Sequence, residues 1–434
     1  MDTGHPFPPR RPTYSKLGNR ENTTLPHSST DIAIVGCGVS GATAALAAAK
    51  RNVSVSIFEE HPEVGTPSHC SGHVGIPAFK QFSPEVPRRI IENEIKGAVL
   101  HSPGGKPLTL RRSKPVTWVL NRAAYDQYLA DLAKNSGTAL YLNARVESYK
   151  RLDNGEILLK VNGYKEHNLT SKVLIDASGC GASISRYAGL PKLGRGILVN
   201  SAQFSVENLM DIDEDFVEVY FGQGFAPGFF GWIIPRHDGT AKVGIAAGAR
   251  ANVRQCFERF IAKHPTVSAK LRHMRQITQP SYHPIPVGGA VNRTYTDNIL
   301  AVGDAASQVK PTTGGGIVFG LACGRIAGET AAKAVLDQEL SASRLEEYEI
   351  LWRRMFGFDL WAMSWLRRLL YRLPDRNLDR IFNIAKELGA DDILNTTTDI
   401  DFQGRTLLSL ARDPRLFITL LSASILSVPS LIQN

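Results

Sequence analysis

The apolar positions near the amino end of the chain fall into strand-like runs separated by a helix. Residues 32–35 form an unbroken apolar run, which is typical of a strand buried on both faces of a parallel sheet. An Ala-rich helical segment follows at 42–50, and a second apolar run occupies 53–58. Further strand-like runs lead up to Asp176 and to Gly303. Strands that alternate with helices in this way predict a Rossmann-type α/β fold.

A different pattern interrupts this alternation twice. Residues 80–118 contain short alternating segments, and the region 195–285 contains longer ones with Gly and Pro between them. The clearest are Ser201 to Val206, Val217 to Phe221, Gly231 to Pro235 and Ala241 to Ala247. Alternation with a period of two predicts an antiparallel sheet with one face free for a ligand.

The region between these segments predicts a helix beginning around Leu120 and running to about Asn135. Two strands are predicted after it, Tyr141 to Val146 and Glu156 to Val161. Residues 340–434 have helical periodicity, and Trp352 to Leu373 combines Trp and Leu positions with several Arg. The apolar tail at 416–432 is interrupted by Ser and Pro429 and predicts a docked or interfacial helix that does not span a membrane.

The predicted fold is therefore a Rossmann-type dinucleotide-binding domain with an inserted antiparallel-sheet substrate domain and a helical carboxy-terminal region. The predicted parts are a disordered leader (1–30), the binding domain (31–79, 119–194 and 286–338), the substrate domain (80–118 and 195–285) and the helical domain (339–434). The leader is rich in Pro, Ser, Thr and Asn and has almost no apolar periodicity.

Composition narrows the class of protein. A hydrophobic content of 43% and a charged content of 21% are those of a soluble globular protein. The excess of 50 basic over 41 acidic residues permits attraction to an anionic surface. No basic run is interleaved with aromatic residues in a nucleic-acid-binding motif, so nucleic acid is not an expected partner.

The five cysteines point away from a disulfide framework and from a metal site. They are scattered along the chain without a C-x-x-C pair: Cys37, Cys70, Cys180, Cys256 and Cys323. This usage fits a reducing, cytoplasmic compartment, and no metal is expected.

The strongest chemical signal is the G-x-G-x-x-G formed by Gly36, Gly38 and Gly41 between the first strand and the first helix. The first glycine allows the tight turn, the second allows backbone to approach a pyrophosphate, and the third allows the helix and strand to pack closely. Glu59 ends the next strand, 18 residues after Gly41, where a carboxylate can bind ribose hydroxyls. The combination predicts a dinucleotide site.

Two Gly-rich turns add to this signal. Asp176 is followed by Gly-rich backbone, a second turn placed near phosphate. Gly303 and Asp304 precede the run Gly314 to Gly316, whose bare amides stand at the start of a small-residue helix over 318–335 and suit an anion. Asp304 is positioned to bind the sugar chain of the dinucleotide.

Two single residues are weaker candidates. Arg122, at the start of the 120–135 helix, can reach a phosphate bidentately, although a lone Arg there is more often a solvated cap. Val146 falls where the chain passes the adenine in such folds.

Cys70 lies in a Pro- and Gly-containing loop after the second strand, and a loop in this place can run back toward the reactive ring. The same loop can equally be an ordinary connection with one buried thiol. The aromatic residues around Phe221, Phe230 and Trp232 can be core or can line a tunnel.

The three motifs in this order resemble FAD proteins built like para-hydroxybenzoate hydroxylase, over about residues 31–335. Within that superfamily the chain is most similar to the geranylgeranyl reductases, which include the archaeal lipid enzymes and the plant and bacterial chlorophyll-side-chain enzymes. Pro67-x-x-Cys70-x-Gly72 and the run from Gly303 to Ile317 carry the resemblance. The third motif departs from the family's Tyr-x-Trp-x-Phe-Pro, because Phe230 and Ile234 replace Tyr and Phe.

The resemblance implies FAD as the cofactor, and the departure leaves the length and polarity of the substrate open. It implies cofactor contacts at Ser40, Glu59, His69, Cys70, Ser71, Arg122, Val146, Asp304, Gly316 and Ile317, to which the motifs themselves add Gly36, Gly38, Gly41, Gly303 and Gly315.

The expected activity is FAD-dependent saturation of C=C bonds in geranylgeranyl chains of archaeal-type membrane glycerolipids, with Cys70 as the catalytic candidate. An isolated trisubstituted alkene is not electrophilic, so it must be protonated as hydride is added. Phe221, Phe230 and Trp232 are the expected substrate-lining residues, whose faces can stabilise a cation. The expected partners are the isoprenoid lipid, an external reductant (ferredoxin, NADPH or another) and an anionic membrane surface, with the protein cytoplasmic and peripherally bound.

Two other functions fit the same motifs. One is an aromatic monooxygenase or halogenase on the same fold, since flavin halogenases carry Trp-x-Trp-x-Ile-Pro and Ile234 matches that Ile. The other is a non-catalytic lipid-binding protein that retains FAD structurally. Turnover with a prenyl substrate distinguishes the reductase from both.

Overall fold

The structure is a computed structural model that describes residues 28–163, 168–389 and 401. The predicted leader lies outside these residues except for its last three, and so does the apolar tail at 416–432.

The helices and strands are numbered in chain order. The strands are β1 (Ser29–Val35), β2 (Val55–Phe58), β3 (His73–Gly75), β4 (Ile91–Ile95), β5 (Gly97–His101), β6 (Pro107–Arg111), β7 (Thr117–Leu120), β8 (Ala139–Tyr141), β9 (Arg145–Arg151), β10 (Ile157–Asn162), β11 (Asn168–Asp176), β12 (Leu198–Glu207), β13 (Phe216–Phe221), β14 (Phe230–Pro235), β15 (Thr240–Gly248), β16 (Arg275–Gln276), β17 (Ser281–Pro286), β18 (Tyr295–Thr296) and β19 (Ile299–Ala301). The helices are α1 (Val39–Ala49), α2 (Ile76–Phe82), α3 (Arg122–Asn135), α4 (Ser183–Tyr187), α5 (Val253–Lys263), α6 (Pro265–Lys270), α7 (Ile317–Leu336), α8 (Ala342–Leu370) and α9 (Asp375–Glu387).

A largely parallel sheet forms the amino-terminal core. Its strand order is β18-β19-β11-β1-β2-β8, with the β9–β10 hairpin attached to β11. The pairs of β1 with β2 and β11, of β11 with β19, and of β2 with β8 are parallel. The β1 residues Ile32, Ala33 and Ile34 are fully buried, as their unbroken apolar run predicts.

Helices α1 and α7 pack against each other on this sheet through small residues. A Cβ on Gly324 would lie 2.5 Å from the Ser40 carbonyl oxygen, and one on Gly328 would lie 2.1 Å from that of Ala44. These distances are shorter than any real carbon contact, so only glycine allows the two backbones to approach this closely. The start of α7 is thereby held beside the start of α1.

The second sheet has the order β16-β12-β15-β14-β13-β5-β6, with β17 also paired to β12. Both interrupting segments of the sequence contribute to it. Most of its pairs are antiparallel, as predicted, but β5 of the first segment and β13 of the second run parallel. A small antiparallel sheet has the order β3-β7-β4, and β5 and β6 of the second sheet fall between its strands β4 and β7 in the sequence. The predicted α/β class with a Rossmann-type part, a second sheet and carboxy-terminal helices is confirmed.

Two predicted elements differ in detail. Leu120 belongs to β7, and α3 starts at Arg122 because Asn121 caps it by accepting a hydrogen bond from the Ala124 amide at 3.1 Å. The strand predicted over 141–146 is broken into β8 and β9, because Asn143 adopts a positive φ of 53°.

Helix α8 has a buried and an exposed side. Trp352, Phe356 and Met363 are buried, whereas Trp361 is 65% exposed and Trp365 is 48% exposed. Among the helices of the described residues, none is long and apolar enough to cross a membrane.

Candidate cofactor and substrate site

The three Gly-rich motifs of the sequence meet at one end of the parallel sheet. A Cβ on Gly41 would lie 1.9 Å from the Gly36 carbonyl oxygen, and a Cβ on Gly36 would lie 2.5 Å from the Ala177 carbonyl oxygen. A Cβ on Gly303 would lie 2.3 Å from Ser40 Oγ. The turn after β1, the turn after β11 and the Gly303 turn are therefore in mutual contact.

Gly38 differs from its neighbours because a Cβ there would meet nothing within 4 Å. Its φ of −74° is also available to any residue, so neither packing nor backbone strain within the protein requires glycine. Gly38 precedes α1 as its N-cap. An open space over a helix amino terminus is the arrangement that the fingerprint reserves for a pyrophosphate.

Glu59 lies at the end of β2 beside this turn. Its Oε2 accepts a hydrogen bond from the Cys37 amide at 2.9 Å, and its Oε1 lies 2.6 Å from His61 Nδ1. The His61 amide also donates to Oε1 at 3.1 Å, and since a carboxylate has about four acceptor positions, these three contacts fix its orientation and leave about one position for a hydroxyl donor. Val146, at the start of β9, is buried in the same region, since the Ala144 amide donates to the Glu59 carbonyl at 2.8 Å.

Arg122 is committed to a protein partner. Its Nη2 lies 3.0 Å from both carboxylate oxygens of Asp126, one turn further along α3. Burial disfavours the charge of Arg122, but Asp126 and then Cys70 outweigh burial and raise the pKa of the guanidinium. Arg122 thus lies between Asp126 and the Cys70 loop, and any phosphate contact must use donors that Asp126 leaves free.

Asp304 is buried and poorly satisfied. Among the described residues, its carboxylate accepts one hydrogen bond, from the Cys180 thiol at 3.8 Å. Burial raises the pKa of Asp304. The thiol has a single proton, which it shares between Asp304 and the Pro284 carbonyl 3.1 Å away. One side-chain N, O or S atom from each of Cys180, His283 and Asp304 lies within 4.8 Å of the others. A buried carboxylate with so weak a donor is suited to a hydroxyl-bearing ligand.

His69 stacks on His283 with ring centroids 4.7 Å apart. Its Nδ1 is buried and has no hydrogen-bond partner among the described residues. Burial, and then His283, lower the pKa of His69 to about 4, so the ring is neutral at pH 7. A buried ring nitrogen without a partner is also a sign of a group that is bound in the functional protein.

The loop from Lys310 to Gly316 completes the site. The Gly314 amide donates to the Lys310 carbonyl at 2.9 Å, and Gly314 has a φ of 74°. Gly316 is the N-cap of α7, and a Cβ there would lie 3.3 Å from Asp304 Oδ1. Ile317, the first residue of α7, is buried. The backbone of this loop therefore borders Asp304 at the amino end of a 20-residue helix.

These features fit a bound dinucleotide. The open space at Gly38, the weakly satisfied Asp304 and the unpartnered His69 nitrogen are polar features that a bound cofactor accounts for together. The predicted cofactor residues are thus brought to one end of the sheet. Asp176, by contrast, accepts hydrogen bonds from Ser178 and Ser185 and orders its own turn.

The Cys70 loop lies between two buried cations. The Cys70 sulfur accepts a hydrogen bond from the Gly72 amide at 3.4 Å, and Lys242 Nζ donates to the Ser71 carbonyl at 3.0 Å. Arg122 and Lys242 both lie close enough to Cys70 to interact with it electrostatically, and this interaction raises the pKa of each cation. For Lys242 the effect of burial is larger, so its pKa is lowered overall. The Cys70 loop is thus tied to strand β15 of the second sheet through Lys242.

An aromatic cluster on the second sheet borders the Gly-rich loop formed by residues 310–316. Phe230 stacks on Phe229 with centroids 4.4 Å apart and contacts Phe221 and Trp232 at 5.9 and 6.0 Å. The ring of Phe229 would lie 3.5 Å from a Cβ on Gly314. The three predicted substrate residues thus belong to one cluster, and it reaches the Gly-rich loop.

Sequence reasoning missed several members of this site. Arg367 of α8 lies over the rings of Phe229 and Tyr371, 5.1 and 5.0 Å from their centroids. Its Nη2 donates to the Gly228 carbonyl at 3.0 Å, and burial lowers its pKa to about 10. Lys242, which holds the Ser71 carbonyl, was also not foreseen. Neither stands in a motif, so only the tertiary fold reveals them.

Comparison with known families and proteins agrees with this geometry. Residues 31–214 match the family described as FAD dependent oxidoreductase, and residues 198–278 match the geranylgeranyl reductase catalytic domain. The chain is 33% identical to digeranylgeranylglycerophospholipid reductase of Methanocaldococcus jannaschii over 363 residues, which cover 83% of this chain and 90% of that protein. The chain belongs to the geranylgeranyl reductase family. It is an FAD-dependent oxidoreductase, as predicted.

Another relative and two solved structures extend the comparison. Digeranylgeranylglycerophospholipid reductase 2 of Methanothermobacter thermautotrophicus is 33% identical, with 81% of this chain and 90% of that protein covered. A geranylgeranyl bacteriochlorophyll reductase-like protein of Thermoplasma acidophilum superposes with a TM-score of 0.79 at 27% identity, covering 89% of this chain and 96% of that one. A flavin-dependent brominase shares the fold at 16% identity and a TM-score of 0.65, with coverage of 89% and 100%. That last likeness concerns the fold alone.

Proposed function

We propose that this protein saturates the C=C bonds of geranylgeranyl chains on an archaeal-type membrane glycerophospholipid. The observation that carries the proposal is the contact between the aromatic cluster and the Gly-rich loop, with the Phe229 ring 3.5 Å from a Cβ position on Gly314. An apolar chain lying on this cluster would be next to the loop that binds the cofactor. The relatives whose names state this reaction support the same substrate.

Each part of the site has a role in this proposal. Reduced FAD, when bound, supplies hydride. Cys70, in the loop held by Lys242, is proposed to act on the proton that the unactivated alkene requires, either as its donor or by positioning it. Phe221, Phe230 and Trp232 would line the chain, exclude water and present their faces to positive charge that develops on carbon.

The cofactor contacts expected from the sequence are proposed on the geometry above. The pyrophosphate end would be held by Gly36, Gly38, Ser40 and Gly41, with Glu59 and Val146 nearby. The ribityl chain and the flavin ring would be bordered by Gly303, Asp304, Gly315, Gly316 and Ile317, together with His69, Cys70, Ser71 and Arg122. The parallel sheet would carry the cofactor and the second sheet the prenyl chain. An external reductant, ferredoxin, NADPH or another, would supply the electrons.

Mass spectrometry of a geranylgeranyl lipid after anaerobic incubation with the dithionite-reduced protein tests the function. We expect a ladder of products that gain one pair of hydrogens per double bond. An unchanged lipid from a protein whose flavin is bound and reducible would refute the proposal. Oxygenated or halogenated aromatic products in aerobic assays would then favour the monooxygenase or halogenase alternative.

The role of Cys70 is tested by Cys70→Ala, with Cys256→Ala as the matched control. Cys256 lies on α5 and is buried in the core between this helix and the second sheet, in a cluster separate from that of Phe229 and Phe230. We expect Cys70→Ala to bind FAD and to lose most of its prenyl reduction, while Cys256→Ala retains activity. A Cys70→Ala protein that reduces prenyl chains at the normal rate would remove Cys70 from the chemistry.

We propose that an anionic bilayer is the partner surface. The exposed residues Arg354, Phe358, Trp361, Trp365, Arg368 and Arg372 recur at helical spacing along one face of α8 and just beyond its end. Phe358, Trp361 and Trp365 lie between basic residues, so the stripe combines insertable aromatic rings with charges that attract anionic lipid. Arg367 of α8 and Tyr371, which caps that helix, lie against the aromatic cluster, so the helix that carries the stripe also contacts the residues proposed to line the prenyl chain.

Sedimentation with anionic vesicles at low and high salt tests this docking surface. We expect salt-sensitive binding that is lost in a Trp361→Ala/Trp365→Ala double variant. The control is Tyr187→Ala, because Tyr187 is also exposed and aromatic, at 70%, but lies on α4. No vesicle-bound protein at low salt, or equal binding of the double variant, would contradict the proposal.

A further inference from the structure

A buried ion pair lies beside the Gly-rich loop, outside every motif considered so far. Lys310 Nζ is 2.6 Å from Asp401 Oδ1, and the side chains are only 8% and 3% exposed. Lys310 starts the loop, whereas Asp401 comes from the carboxy-terminal region of the chain. A buried pair of this kind is weak evidence for stability, because desolvation opposes the attraction of the charges. The position of the Lys310–Asp401 pair beside the Gly-rich loop therefore says more about its role than its burial does.

Lys310 is the first residue of the loop that borders the proposed flavin ring, and it contacts the glycines of that loop directly. Its amide donates to the Gly315 carbonyl at 3.0 Å, and its carbonyl accepts from the Gly314 amide at 2.9 Å. A Cβ on Gly315 would lie 2.5 Å from Lys310 Cε and 3.2 Å from Nζ. The ammonium group is thus folded back over the loop.

The other side of the pair is anchored to the segment that follows the Cys70 loop. Asp401 Oδ2 accepts a hydrogen bond from the Gly75 amide at 3.0 Å. His73 is close by, with its Nε2 2.7 Å from Thr117 Oγ1, and burial and then Lys310 lower its pKa to about 4. His73 is therefore neutral at pH 7, and Lys310 and Asp401 are the charged members of this group.

We propose that Lys310 is a positioning residue that raises the reduction potential of the bound FAD, and that Asp401 sets how strongly it does so. This inference rests on the proposed function, because it places the flavin ring against the Gly314–Gly316 loop. Reduction by two electrons with uptake of one proton leaves one additional negative charge on the cofactor. A cation held in a poorly solvated site beside that charge favours the reduced form, and an anion opposes it.

Removal of Lys310 and removal of Asp401 are therefore expected to shift the reduction potential of the flavin in opposite directions. An ion pair with a purely structural role gives no such difference in sign. In Lys310→Gln the Asp401 carboxylate is left uncompensated, and we expect the equilibrium constant for reduction to fall at least tenfold, about 30 mV for a two-electron couple. In Asp401→Asn the ammonium is left uncompensated, and we expect the potential to rise. Lys310→Arg retains the charge and should stay near the parent value.

The measurement is the potential of the bound flavin, taken by equilibrating the FAD-loaded protein with reference dyes during slow anaerobic reduction. Lys270→Gln is the matched control, because it breaks another buried ion pair, between Lys270 Nζ at the end of α6 and Glu218 Oε1 on β13, 2.8 Å apart. We expect it to leave the potential unchanged. If Lys270→Gln shifts the potential as much as Lys310→Gln does, the effect comes from the loss of any positive charge and not from the position of Lys310, and the proposal is overturned.

Potentials that are unchanged, or that move in the same direction in Lys310→Gln and Asp401→Asn, would also overturn it. If Lys310→Gln does not retain FAD, the sign of the change in Asp401→Asn decides the matter alone. Failure of the proposed function looks different, since the parent protein would then hold a reducible flavin without saturating any prenyl chain.

Discussion

Two glycines of the same fingerprint should respond to the same substitution in opposite ways. Gly41 and Gly38 are three residues apart, and both are expected to serve the dinucleotide. A methyl group on Gly41 would meet the protein, whereas one on Gly38 would meet only the space assigned to the pyrophosphate. Alanine at each position therefore separates the role of packing from the role of binding.

For Gly41→Ala the structure predicts a loss of stability. The new Cβ would lie 1.9 Å from the Gly36 carbonyl oxygen and 3.2 Å from the Ala177 Cβ. Because all of these atoms belong to backbone or to a neighbouring Cβ, none can move aside as a flexible side chain would. Overpacking of this kind costs about 1–3 kcal/mol or more, which lowers the melting temperature of the apoprotein by several degrees.

For Gly38→Ala we expect little change in the apoprotein. Loss of glycine as N-cap costs a few tenths of a kcal/mol or more, and the smaller freedom of Ala in the unfolded chain returns about 0.4–1 kcal/mol. The methyl group would instead keep the pyrophosphate from the helix terminus. We expect FAD affinity to fall at least about tenfold, which corresponds to about 1.4 kcal/mol.

Thermal unfolding of the two apoproteins and fluorescence titration with FAD provide the assay. Gly41→Ala should melt earlier than the parent, and Gly38→Ala should melt with the parent yet bind FAD weakly. Unchanged FAD affinity in Gly38→Ala would refute the placement of the pyrophosphate over that residue. Equal melting of Gly41→Ala and the parent would refute the packing argument.

Further outcomes follow from the buried charges and the aromatic cluster. Burial opposes ionisation of Glu218, but hydrogen bonds from its neighbours lower its pKa to about 2. The ionised Glu218 therefore stabilises the folded protein fully above pH 4.5, and this stabilisation is lost as pH falls toward 2. In urea unfolding, Glu218→Gln should lower the free energy of unfolding by up to about 3 kcal/mol at pH 7 and by almost nothing near pH 2. Asp126→Leu should lower the free energy of unfolding, measured by thermal unfolding, by about 3–5 kcal/mol, because it leaves the charge of Arg122 without its partner. Adding Arg122→Met should restore most of that stability. Gly244→Ala places a Cβ 2.5 Å from the Trp232 ring, so the KM for a prenyl substrate should rise while FAD affinity, measured by titration, is unchanged.

The sequence was sufficient for the parts of the fold that short-range rules govern. The apolar run over 32–35 predicted a buried central strand, and β1 is that strand. The glycines around it predicted close approaches that the structure contains at Gly36 and Gly41. Such features depend on neighbours in the chain, so their pattern survives in a single sequence.

The sequence was insufficient where residues far apart in the chain meet. Cys70 was recognised from its loop, but Lys242, which holds that loop through the Ser71 carbonyl, is 171 positions from Ser71 and stands in an ordinary strand pattern. Arg367 is one of several Arg in the helical pattern of 352–373, and its guanidinium is turned inward onto Phe229. Periodicity assigns a helix face but does not say which long side chain reaches back into the body.

These hidden contacts share one physical feature that bears on how the reaction is controlled. Lys242, Lys310 and Arg122 are cations placed around the Cys70 loop and the Gly-rich loop, and each has a buried carboxylate or backbone carbonyl as its partner. In a poorly solvated region such charges act over longer distances than they do in water. Reduction of an alkene leaves no net charge on the prenyl chain, so the reacting part of the proposed substrate gives these cations no charge to stabilise. We therefore expect them to act on the charge that appears on the reduced cofactor, and we expect the reduction potential to respond to their removal.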